Sequence, residues 1–213
     1  MKKVSNIVFK TCYYALLVFS TYLMVLITLQ YIPLRYDVAF LNIKQQQIGN
    51  IHYKIAFFSH VYTSIFVLIA GIPQFSGYVR RKYATVHKNL GKAYILLILL
   101  VAAPSGLIMG IEANGGTSSK ISFVLQAILW FVFTFIAYQK AKSKDWQQHK
   151  NFMLRSYALT LGAITLRWLK FALASTLALP PMDIYRIIAW AGWLLNLIVI
   201  ELYILKTNKC SLV

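Results

Sequence analysis

His87 and His149 are the residues whose chemistry is easiest to state. Each opens a similar stretch, HKNLGKAY from His87 and HKNFMLRSY from His149, after a basic run and ahead of an apolar one. Two neutral imidazoles at equal depth on two helices of one bundle can ligate a haem iron from both sides, or hold another metal. Gly91, one helical turn past His87, leaves room for a flat macrocycle to approach. Tyr94 and Ser105 continue from it along the first helix, and Met153, Ser156 and Thr160 continue the second. The plain alternative is that both histidines sit at the membrane surface and meet lipid phosphate. The sequence leaves both readings open.

A second group consists of His60, Gln126, Arg167 and Lys170. Counted from the outer ends of their segments at about 1.5 Å per residue, the first two and Lys170 lie about 10 Å deep and Arg167 about 15 Å. A charge in the middle of a bilayer costs at least about 2.5–3.5 kcal/mol, so Arg167 needs an internal partner or a wet cavity. No acid falls at its depth: Glu112, Asp183 and Glu201 lie near segment ends and Asp37 in a loop. That disfavours a carboxylate proton relay. It favours a cationic pocket for an anion, a quinone carbonyl or haem propionates. Equally simple accounts are a hydrogen-bonded core role for His60 and outward snorkelling for Lys170.

The elements that must position these residues are apolar and long. The 213-residue chain is 59% hydrophobic and only 13% charged, more apolar surface than a soluble domain hides. Six spans are expected at about 11–31, 54–75, 91–111, 120–139, 149–177 and 183–205, each near the roughly 20 residues a bilayer requires. The basic start resembles a signal peptide, but the apolar run is too long and lacks a small-x-small cleavage site, so it reads as a retained span. Polar loops, EANGGTSS at 112–119 and Pro180-Pro181 among them, separate the spans.

The net charge of +17 does not indicate nucleic acid, because the basic residues lie in short runs between spans. Of 22 Lys and Arg, 15 fall on the side of the N-terminus and 5 on the other, and Arg167 and Lys170 stay within a span. Both termini are therefore expected in the cytoplasm. Cys12 and Cys210 lie near cytoplasmic ends, where a disulfide is not expected. No P-loop, Rossmann glycine pattern, metal-cysteine motif or hydrolase triad appears.

These residues carry a resemblance. His60, then Gly71-Ile72-Pro73-Gln74-Phe75, Arg80, the stretch His87 to Tyr94, and His149 to Arg167 with its RSYALTLGAITLR core resemble the bacterial membrane-protein family catalogued as domain of unknown function 2306 (DUF2306). The likeness covers roughly 56–171 and implies a fold rather than a chemistry. More distantly, the order of histidines and glycines is similar to the four-helix core of transmembrane b-type cytochromes. That resemblance implies ligand pairing between the second and fourth core helices, which His87 and His149 match. It also implies a first-to-third pair, for which His60 is matched only by Gln126.

The reading as a whole is an all-α bundle of six transmembrane helices, one membrane domain over 1–213. A peripheral first span (11–31) and a sixth span (183–205) flank a four-helix core (54–177). The expected place is the bacterial cytoplasmic membrane. Two classes of function stay open. One is electron transfer through haem b held by His87 and His149, with His60, Gln126, Arg167 and Lys170 lining an outer pocket. The other is a non-redox transporter or a protein binding lipid, anion or quinone, or a subunit of a homo-oligomer or membrane complex.

Overall fold

The computed structural model describes residues 2–209. The side chains of Lys2, Lys3, Lys10 and Lys209, and Cys210 altogether, lie outside the described residues. Six long helices are apolar enough to cross a membrane, as expected, and no strand occurs among the described residues. The chain divides into two compact units, meeting at Gln45 and Gln46.

The first unit holds helix α1 (Lys2–Leu29) and a 3-10 turn at Ala39–Ile43. In α1, Thr21 and Thr28 return their hydroxyls to the carbonyls of Leu17 and Met24, which satisfies them without water. The loop is tied by Gln45, whose amide donates to the carbonyls of Tyr36 (2.7 Å) and Leu41 (2.9 Å).

The second unit contains the remaining five. Helix α2 (Ile51–Gly71) starts at Asn50, whose side chain accepts from the backbone N–H of His52. A 3-10 turn with Pro73 and a short basic helix (Gly77–Lys82) lead to α3 (Ala84–Ile111). Helix α3 has a π-helical turn at Ile98–Ala102, immediately before Pro104. Proline lacks the N–H that would continue an α ladder, so the widened turn is a local answer to it. Helix α4 (Gly116–Lys142) follows Gly115, whose φ of 87° suits glycine. Asp145 caps α5 (Trp146–Thr176) through Gln148 N at 3.2 Å, and α6 (Pro181–Lys209) begins on a proline.

Helices α2, α3, α4 and α5 form a ring in which each packs on its two neighbours, and α6 packs on α5 and α4. Consequently α3 faces α5 across one diagonal, and α2 faces α4 across the other. The apolar centre gathers Val67, Tyr94, Ile98, Trp130, Met153 and Tyr157. One expectation shifts. Helix α3 starts seven residues before the span expected from 91, so His87, which precedes that span, lies within the helix. Apolarity marks where lipid begins, whereas a helix continues into the headgroup layer with basic side chains reaching outward.

Candidate functional site

His87 and His149 each lie three residues into their helices, on the α3–α5 diagonal. They are close enough for a charge on one to act on the other, and Arg80 stands within similar reach of His87. Seven residues further along both helices, the Tyr94 hydroxyl meets Ser156 Oγ at 3.0 Å and Thr160 Oγ1 at 3.1 Å. Ser156 also meets Thr134 Oγ1 of α4 at 2.7 Å. Tyr94 is fully buried, so its ring and hydroxyl close the diagonal at about 10 Å from the histidines.

Above that floor the two histidines differ. His149 Nδ1 lies 2.8 Å from the carbonyl oxygen of Ala137 in α4. A carbonyl only accepts, so Nδ1 carries the proton and Nε2 keeps its lone pair. This is the arrangement by which ligating histidines are oriented. His87 Nδ1 is buried without a partner. So is Gln74 Nε2, and Gln74 Oε1 lies 3.2 Å from where a Cβ on Gly91 would stand. Gln74 thus touches the glycine one turn from His87, and each of the two side chains keeps a buried polar atom without a partner.

The outer group is distributed differently. His60 Nδ1 donates to the carbonyl of Ala102, in the π turn of α3, at 2.8 Å, with Ser105 Oγ at 3.4 Å. Its ring packs so closely on Gly106 that an added Cβ would come within 3.0 Å of Cε1. Across the α2–α4 diagonal His60 meets Trp130, with ring centroids 6.4 Å apart. Gln126 turns instead to α5, donating to Leu159 O at 3.3 Å beside Gly162. Arg167 acts electrostatically on His60 and donates to Ala163 O at 2.9 Å on its own helix. Arg167 and Lys170 are both exposed on α5, whereas Met153, Ser156 and Thr160 of the same helix are buried. Of the other three, Arg167 is the one whose charge acts on His60, and Gln126 bonds to α5 instead.

Sequence reasoning missed an ion pair between two of the long helices. Arg155 of α5 holds Glu201 of α6 through two parallel bonds, Nε to Oε1 at 2.5 Å and Nη2 to Oε2 at 2.9 Å. Its guanidinium also lies 4.8 Å from the centre of the Phe152 ring. A signal was present: Glu201, though near the end of its expected span, still lies within it, and an acid there needs a base.

Among the described residues no cluster of three or more His, Cys, Asp or Glu side chains could hold a metal ion. The inner end of the bundle offers two histidines on one diagonal, with Gly91 and the Gln74 amide beside the first.

Fold and site together define a polytopic helical membrane protein with a polar interior. The chain matches, over residues 57–204, the family described as predicted membrane protein (DUF2306), and it belongs to that family. The match runs beyond the stretch read from the sequence and takes in most of α6. No curated protein and no solved structure matches. The distant likeness to b-type cytochrome cores therefore gains no support from those comparisons.

Proposed function

We propose that the inner histidine pair binds a prosthetic group, haem b being the one that suits the donor set, and that the protein carries electrons in the bilayer. The observation that supports this most is that His87 Nδ1 is buried without a partner, as is Nε2 of Gln74, whose side chain touches Gly91 one turn along from His87. A buried polar group without a partner is costly, so such atoms mark a place where another group belongs. His87 and His149 would hold the iron, and bound haem supplies one-electron transfer. The chain's own parts follow from their contacts. Ala137 fixes the His149 ring, Tyr94 closes the floor, and Arg80 sets positive charge beside His87, suited to a carboxylate.

The second reading is a non-redox binder or transporter of a lipid, an anion or another solute, or a subunit of a complex. Arg167 and Lys170 on the exposed side of α5 favour it. Haem content of the purified protein and of His87→Ala and His149→Ala separates the two. The proposal expects about one haem per chain, falling roughly tenfold in each variant while both remain monodisperse. Unchanged haem in the variants removes the ligand assignment, and a haem-free parent protein leaves the second reading.

A further inference from the structure

The outer half of the bundle carries a separate signal in His60. Its Nδ1–H is committed to Ala102 O at 2.8 Å, because a carbonyl cannot donate. The carbonyl that takes this proton lies in the π turn beside Pro104, a backbone feature often found at functional positions. The tautomer is therefore fixed, and Nε2 is an acceptor. No hydrogen bond reaches Nε2 from any described residue. One turn along α2, Ser64 Oγ is buried and, like Nε2, without a partner. The His60 ring packs on Trp130, and the charge of Arg167 is in reach of it. Their depth agrees: His60 follows the outer start of α2 by nine residues, and Arg167 precedes the outer end of α5 by nine, about 14 Å in each case.

We infer that His60, with Ser64 and Arg167, forms a site for a membrane-soluble molecule bearing an acidic hydroxyl, of phenol or enol type. The hydroxyl donates to Nε2, and the nearby guanidinium favours negative charge on its oxygen. At Nε2 a carbonyl oxygen meets an acceptor with an acceptor, so a ligand with only carbonyl oxygens loses there the bond that its hydroxyl form makes. The site therefore takes the hydroxyl form of a quinone-like compound rather than its carbonyl form. The inference needs no haem and stands whether or not the inner pair binds one.

The test uses the full-length protein in detergent with 4-hexylphenol and its methyl ether, a pair of similar shape in which only the phenol donates. Saturable binding is read from tryptophan fluorescence, since Trp130 abuts His60, and confirmed by calorimetry. The phenol should bind roughly tenfold more tightly than the ether. His60→Asn keeps a donor for Ala102 and loses the acceptor at the Nε2 position, so it should abolish that preference. His60→Gln places an amide oxygen near the Nε2 position and should keep part of it. Equal binding of the two probes, no saturable binding of the phenol, or an unchanged preference in His60→Asn would overturn the inference. Because neither probe is a redox partner, the result is independent of haem content.

Discussion

At the scale of single residues, the interior is held by polar side chains that find partners on other helices. Tyr94 joins α3 to α5 through Ser156 and Thr160. Interhelical hydrogen bonds in bilayers average about 0.6 kcal/mol and reach about 1.7 kcal/mol. Tyr94→Phe, which removes two of them, should lower stability by about 1–2 kcal/mol, measured by unfolding in detergent. Arg155 and Glu201 form a stronger link. Their side chains are 18% and 38% exposed, so the pair is only partly shielded. Glu201→Gln should cost about 1–3 kcal/mol because it strips the carboxylate from a guanidinium set inside the bundle. The exchange Arg155→Glu with Glu201→Arg should recover part of that loss in the same assay. Recovery would identify the pair itself, rather than either side chain alone, as the source of the stability.

At the scale of elements, small residues set how closely helices approach. On α6, a Cβ at Gly192 would lie 2.9 Å from Leu166 Cβ, and on α5 one at Gly162 would lie 3.2 Å from Trp193 Cβ. Gly192→Leu should therefore separate α5 from α6, with a loss of about 1–3 kcal/mol from overpacking. Site-directed crosslinking between the two helices should fall with it. The number and order of elements were legible in the sequence because hydropathy and length decide them. So was the equal offset of His87 and His149, because both histidines introduce similar stretches. Three features were not legible. The ring order, which puts Trp130 rather than Gln126 across from His60, depends on how each helix is rotated. The pairing of Arg155 with Glu201 depends on a contact between residues far apart in sequence. The π turn at Ile98–Ala102 had only Pro104 as a signal, and proline does not by itself specify a π turn.

At the scale of the whole molecule, the asymmetry of basic residues predicts an orientation in the membrane. With the native cysteines replaced by serine, a Ser143→Cys chain should resist a membrane-impermeant maleimide in intact cells, and a Ser118→Cys chain should react. The reverse pattern would invert the topology and place the histidine pair at the outer surface. Within the expected orientation, the bundle has two polar regions on its two diagonals, separated by the Tyr94 floor and the apolar centre. The inner one carries the functional claim. Its most direct test is the absorption spectrum of the purified protein, taken oxidised and then reduced with dithionite, from cells supplied with haem. The account predicts sharp reduced haem bands at about one haem per chain. A spectrum without them, in a folded protein, would contradict it.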